Sequence, residues 1–95
     1  MATWIDTENC VTILFPHYED NWAYIEVDIQ KDYVEYINTN SGLKIYIPLL
    51  HHINKEDSYA LKIARNVVIK LPKVVNEMWP TISHGLDTFI VNDRT

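Results

Sequence analysis

The sequence predicts an α+β domain, in which an antiparallel β-meander of four to five strands carries one long C-terminal helix on one face. Residues 22–29 and 43–49 alternate apolar and polar side chains with the period of a half-buried strand. Residues 54–79 place apolar side chains three and four positions apart, which is typical of an amphipathic helix. Because neither element can bury its apolar face alone, we expect the helix to pack on the sheet.

The length and composition predict a single domain over residues 1–95, because 47% of the residues are apolar and one modest core is within reach. Cys10 is the only cysteine, which excludes an intramolecular disulfide and fits a reducing compartment. No signal segment is evident, and no apolar run approaches the roughly 20 residues of a membrane helix. We therefore expect a cytoplasmic protein with no membrane contact.

The predicted strands follow one another along the first half of the chain. Segments 3–6 and 10–15 are apolar and β-prone, and they form either two short strands or one strand with a bend at 7–9. A loop over 16–21 precedes strands at 22–29, 32–38 and 43–49. Pro48 lacks an N–H group, so the last of these strands belongs at a sheet edge.

The predicted helix begins at Asn54, an N-cap residue, with Asp57 completing a variant capping box. Pro72 lies inside the apolar pattern, and we expect it to kink the helix; the alternative is two helices, near 55–70 and 72–79. Pro80 ends the helix, and residues 86–91 are a candidate for a short final strand. The apolar stripe comprises Ala60, Leu61, Ala64, Val67, Val68, Leu71, Val74, Val75 and Met78.

Two registers are allowed for the hairpin of the third and fourth predicted strands. A two-residue turn sets Glu26 opposite Glu35, and a four-residue turn sets Asp28 opposite Glu35. Both registers place carboxylates and aromatic rings on one outer face, which makes this face the candidate partner-binding site. The candidate residues are Trp22, Tyr24, Glu26, Asp28, Tyr33 and Glu35.

The charges are divided unevenly along the chain, with eight acids and one base in residues 1–40 but five acids and seven bases in residues 41–95. Like charges that face each other across a strand pair cost roughly 0.2–1 kcal/mol. Such a surface is suited to a basic protein partner, with the aromatic rings as anchors and the carboxylates steering association. The alternatives are a solvated face that Lys44 partly compensates, or a face covered by the first strands or a second copy.

The remaining polar residues do not predict chemistry. We expect the predicted helix to turn its bases to solvent rather than to nucleic acid, namely Lys62, Arg65, Lys70 and Lys73. His51 and His52 belong to the junction between sheet and helix, and His17 and His84 to loops without ligand spacing. We therefore predict no catalytic residue, no metal site and no cofactor.

These observations predict a small acidic, non-enzymatic protein that occludes a basic partner, for example one that handles nucleic acid. In size and charge alone it is similar to immunity proteins and phage anti-defence proteins. The first alternative is a homodimer or other structural assembly that uses the same aromatic face for self-association. The second is a small enzyme or metal-binding protein that uses His51, His52 or the carboxylate pair.

Overall fold

The computed structural model describes residues 2–16, 22–82 and 90–92, which form a sandwich of two β-sheets. The strands in chain order are β1 (Ala2–Asp6), β2 (Cys10–Pro16), β3 (Ile25–Ile29), β4 (Tyr33–Asn38), β5 (Leu43–Pro48), β6 (Tyr59–Ile63), β7 (Asn66–Pro72) and β8 (Ile90–Asn92).

The two sheets differ in how the chain builds them. The large sheet has the strand order β6-β7-β2-β1-β8, antiparallel throughout except that β8 runs parallel to β1. The small sheet is the antiparallel meander β3-β4-β5. The small sheet therefore lies in the sequence between β2 and β7, which are neighbours in the large sheet.

The core lies between the two sheets, and most of the strands that enclose it contribute alternate residues. Val11, Ile13 and Phe15 of β2 point inward, and so do Val67, Ile69 and Leu71 of β7. The small sheet contributes Ile25, Val34, Tyr36 and Ile47. The Phe15 and Tyr36 rings stack across the interface with centroids 4.5 Å apart, which joins the two sheets through a direct aromatic contact.

The predicted long C-terminal helix, kinked at Pro72, is absent, and the predicted α+β class is wrong: within the described residues the only helices are two short 3-10 turns, Trp22–Tyr24 and Lys55–Asp57. The segment predicted to be helical forms the β6–β7 hairpin instead. Its apolar residues repeat every second position along β7 as well as every third or fourth along the whole segment, and the shorter period is the one realised. Asn54 precedes a 3-10 turn without making a side-chain cap bond.

The strands predicted before that segment are present, with changed ends, and the first two segments take the two-strand alternative. β1 and β2 are separate strands joined at Thr7, Glu8 and Asn9, and β5 lies at an edge of the small sheet, as its Pro48 predicts. The third predicted strand begins at Ile25 rather than Trp22. Residues 17–21 and 83–89 lie outside the described residues, so of the predicted strand at 86–91 only its end is placed, in β8.

A buried ion pair ties the segment after β7 to β1. The Lys73 ammonium donates hydrogen bonds to Asp6 Oδ1, at 2.5 Å, and to the carbonyl oxygens of Thr7 and Glu77. The Trp79 N–H donates to Asp6 Oδ2 at 2.8 Å. Both charged side chains are fully buried, so the prediction that Lys73 faces solvent is wrong; the alternation of β7 continues through it and turns it inward.

Among the helices that the structure describes, none is long and apolar enough to cross a membrane.

Candidate functional site

The outer face of the small sheet brings together four of the six predicted site residues. β3 and β4 pair in the second of the two predicted registers, so Asp28 lies directly opposite Glu35 and Glu26 opposite Ile37. On β5, Tyr46 lies next to Glu35 and Lys44 next to Ile37. We call this surface the acidic–aromatic face and define it by Glu26, Asp28, Tyr33, Glu35 and Tyr46.

Asp28 is the carboxylate of this face that accepts the most hydrogen bonds. Its Oδ1 accepts a hydrogen bond from Gln30 Nε2 at 2.8 Å, and its Oδ2 accepts one from the Tyr33 hydroxyl at 3.3 Å. Gln30 in turn accepts a hydrogen bond from Lys55 Nζ through its Oε1, at 3.0 Å. These bonds hold Asp28 in place beside Glu35, although the two carboxylates repel each other.

The two tyrosines form the aromatic part of the face. The rings of Tyr33 and Tyr46 lie 5.2 Å apart between centroids and are inclined at 39°, an arrangement favourable for aromatic pairs. Desolvation raises the pKa of the Tyr33 hydroxyl above its ordinary 10.0, and the charge and hydrogen bond of Asp28, the charge of Glu35 and the nearby Tyr46 raise it further. Tyr33 therefore stays protonated and keeps donating to Asp28.

Within the part of the chain that the structure describes, the carboxylates of the face form no ion pair. In residues 2–16 and 22–82, no lysine, arginine or histidine forms a salt bridge with Glu26, Asp28 or Glu35. Lys44 lies two strands away from Glu26, with Ile37 between them. Lys44 is a diagonal neighbour of Glu35 across the β4–β5 pair, and within the described residues it forms no salt bridge with that carboxylate.

The other two predicted residues, Trp22 and Tyr24, lie in the 3-10 turn before β3 and not on the strand face. Trp22 is partly buried against the core, with Lys62 Nζ 5.2 Å above its ring. Tyr24 is partly exposed, and its carbonyl accepts hydrogen bonds from Thr39. Tyr46 takes their place on the face; the same alternation that points Ile45 and Ile47 inward points Tyr46 outward, so the sequence carried the signal.

A separate, concave site lies beside the segment that connects β5 to the 3-10 turn Lys55–Asp57, so His51 and His52 do not lie at a junction between sheet and helix as predicted. It is an open groove of about 380 Å³ lined by both histidines and by Leu50, Val74, Val75 and Glu77. His51 Nε2 lies 3.5 Å from Glu77 Oε1, and the His51 ring meets Trp79 edge-on at 5.6 Å. Among the described residues, no three histidine, cysteine or acidic side chains converge as metal ligands.

The fold and the acidic–aromatic face define a two-sheet β-sandwich domain with one strongly acidic open surface. No family model and no curated protein matches the chain. Among solved structures it is similar to the nuclear movement protein from E. cuniculi GB-M1, with 23% identity, a TM-score of 0.75, and coverage of 87% of this chain and 98% of that one. At this identity the similarity shows the fold alone.

Proposed function

We propose that this protein is a non-enzymatic binding domain that recognises a basic protein surface through its acidic–aromatic face. The observation that carries the proposal is the pair Asp28 and Glu35, which face each other across two strands without a salt bridge to any cation of the described residues. A basic partner would supply the missing countercharge. Its guanidinium or ammonium groups could also form cation–π contacts with the rings of Tyr33 and Tyr46.

The narrower form of the proposal is inhibition by occlusion. A carboxylate-rich face suits a basic cleft that otherwise accepts phosphates, as in a protein that handles nucleic acid. The domain would then compete with the nucleic acid and would not bind it directly. An open sheet face excludes water poorly, which supports binding rather than catalysis.

Self-association through the same face is disfavoured. In a symmetric dimer the Asp28 and Glu35 carboxylates of one copy would meet those of the other, which adds repulsion to a face already short of countercharge.

We also propose that the protein is cytoplasmic, because the free thiol of Cys10 would stay reduced in that compartment.

A defined basic peptide tests the proposal without knowledge of the natural partner. An arginine- and lysine-rich peptide, titrated into the isotopically labelled protein, should shift amide resonances of β3, β4 and β5. Charge reversal of Glu26, Asp28 and Glu35 to Lys should abolish the shifts, and higher salt should weaken them in the unmodified protein. With a natural partner, the same reversal should act mainly by slowing association.

The matched control reverses three acids outside the face, Glu8, Glu56 and Asp57, which are all exposed. Both triple variants change the formal net charge from −5 to +1. Binding lost in both variants would indicate attraction by net charge alone. Binding retained after reversal of Glu26, Asp28 and Glu35 at physiological salt would refute the proposal.

A further inference from the structure

Strand β6 forms one edge of the large sheet and has little of the usual protection of an edge. All five of its residues, from Tyr59 to Ile63, are exposed. Natural edge strands are guarded by charges, prolines or bulges, because their free N–H and C=O groups otherwise recruit another strand. Here Lys62 is the only charged residue in the strand, and proline is absent from it.

The hairpin geometry shows which backbone groups of β6 are free. Ile63 pairs with Asn66 across a two-residue turn, so this pair is hydrogen-bonded, and bonded pairs then recur at every second residue. Leu61 and Tyr59 therefore bond to β7, whereas Ala60 and Lys62 direct their N–H and C=O groups away from the sheet. Within the described residues, no other strand pairs with that side of β6.

The side chains of β6 make this edge apolar on one face. Tyr59, Leu61 and Ile63 share the outer face of the large sheet and are 47%, 44% and 51% exposed. Leu61 continues into the partly buried Val68 and Leu14 on the next two strands. An apolar strip thus crosses three strands and ends at an open edge.

We propose that β6 pairs antiparallel with β6 of a second copy of this chain, about a two-fold axis at Leu61. In this register Ala60 of each copy faces Lys62 of the other. The residues with free backbone groups therefore pair with each other at two equivalent positions about the axis. Tyr59 faces Ile63 of the second copy, and Leu61 faces its own counterpart. The two large sheets then join into one continuous sheet.

The free backbone groups and the charges of β6 favour this register over its neighbours. Shifting the register by one residue would set the free groups of Ala60 against Leu61, whose groups are already used by β7. A two-residue shift toward the turn stacks Lys62 on Lys62 of the second copy, and a two-residue shift the other way leaves Ile63 outside the pairing. Leu61 is therefore the centre that pairs all five residues without opposing like charges.

The sequence flanking β6 adds complementary charge. Glu56 and Asp57 precede the strand, and Arg65 follows it in the turn to β7. An antiparallel arrangement brings the acidic start of one β6 to the basic end of the other, at both ends of the pair. This favours a second copy over an arbitrary extended segment, because the two-fold axis satisfies both ends at once.

The expected dimer is weak. Five paired residues bury less than the roughly 1,200–2,000 Å² of a standard interface. Sedimentation velocity should therefore show a monomer–dimer equilibrium that depends on concentration. Leu61→Lys, which places two ammonium groups at the axis, should raise the dissociation constant at least tenfold. Ala60→Pro should do the same, because it removes an outward N–H that β7 does not use.

The matched control is Leu43→Lys, since Leu43 is 50% exposed and lies on β5, an edge strand of the small sheet. This variant should dimerise as the unmodified protein does. A folded, monomeric unmodified protein at millimolar concentration would overturn the proposal and leave β6 open to a segment of another protein. Dimerisation unchanged in folded Leu61→Lys would overturn it as well.

A crosslink tests the register directly. Leu61→Cys places two thiols opposite each other at the axis, where Cα atoms about 4.5–5.5 Å apart permit a disulfide. Ile63→Cys places them four residues apart along the strands, about 13 Å, which forbids one. Mild oxidation should thus crosslink the first variant and not the second. Equal crosslinking of both would refute this pairing.

Discussion

Tyr33 is the residue whose chemistry reports most directly on the acidic–aromatic face. Its hydroxyl donates to Asp28, and its ring contacts Tyr46. Because desolvation and the neighbouring carboxylates disfavour the phenolate, the pKa of Tyr33 lies above its ordinary 10.0. A partner that neutralises Asp28 and Glu35 would remove part of that effect.

Replacing Asp28 with Asn should lower the pKa of Tyr33 toward its ordinary value, because the charge is lost. The ultraviolet absorbance of tyrosinate measures the pKa. The variant Tyr33→Phe identifies the part of the absorbance that belongs to Tyr33. The control is Glu8→Gln in the β1–β2 turn, which should leave the pKa of Tyr33 unchanged. A raised pKa in the folded state means that Tyr33 stabilises the fold fully below pH about 10 and loses this contribution as the pH rises through the folded-state value. A Tyr33 pKa that is unchanged in Asp28→Asn would contradict the contribution of the Asp28 charge.

The same residue scale shows how far the sequence predicts the candidate site. Alternation places Glu26, Asp28, Tyr33 and Glu35 on one face correctly, because side-chain direction in a strand follows directly from sequence position. It fails at Trp22 and Tyr24, since the alternating pattern runs three residues beyond the start of β3 into a 3-10 turn. Nothing in the pattern marks where the strand begins.

At the scale of elements, the β6–β7 hairpin shows why the predicted helix was wrong. Its turn consists of Ala64 and Arg65, without the Gly, Asn, Asp or Pro that normally signals a turn. Both faces of β6 are exposed, so that strand lacks the alternation of burial that would reveal it. The β-branched run Val67, Val68 and Ile69, followed by Pro72, was the signal that favoured a strand.

Ala64 carries the local cost of this turn, because its φ of 52° lies in the left-handed region. That conformation costs a non-glycine residue about 1–2 kcal/mol. Ala64→Gly should therefore raise the free energy of unfolding by about 0.5–1 kcal/mol, after the greater entropy of glycine in the unfolded chain is subtracted. Denaturant unfolding measures the change.

The control is the same substitution four residues earlier. Ala60→Gly lies inside β6 and should lower the free energy of unfolding by roughly 0.5–1 kcal/mol. A hairpin predicts these opposite signs, whereas a continuous helix predicts destabilisation at both positions. Destabilisation by both variants would thus contradict the turn at Ala64.

At the scale of the whole molecule, the Asp6–Lys73 pair closes the sandwich by joining β1 to the segment that follows β7. Sequence patterns do not predict this contact, because the two residues are 67 positions apart and the helical pattern turns Lys73 toward solvent. Removing one member of a buried pair leaves the other charge without its countercharge, which costs about 3–5 kcal/mol. That is a large part of the roughly 5–15 kcal/mol that stabilises a small domain.

Asp6→Ala should therefore lower the free energy of unfolding in urea by about 3–5 kcal/mol, whereas Asp32→Ala, at an exposed aspartate, should change it by less than about 0.5 kcal/mol. Adding Lys73→Met to Asp6→Ala should cost less than the two single losses combined, because the double variant leaves no charge stranded. A loss below about 1 kcal/mol in Asp6→Ala would contradict the buried pair.

The small sheet lies in the sequence between two neighbouring strands of the large sheet, β2 and β7, and this order along the chain affects the order in which the strands can pair. β3, β4 and β5 are joined by short connections and can pair once Pro48 has left the ribosome. β2 must wait for β7, which ends at Pro72, and pairs with it across a loop of about fifty residues. A nascent chain can therefore form its acidic–aromatic face while one side of apolar β2 still lacks β7, so that side stays open to aggregation during synthesis.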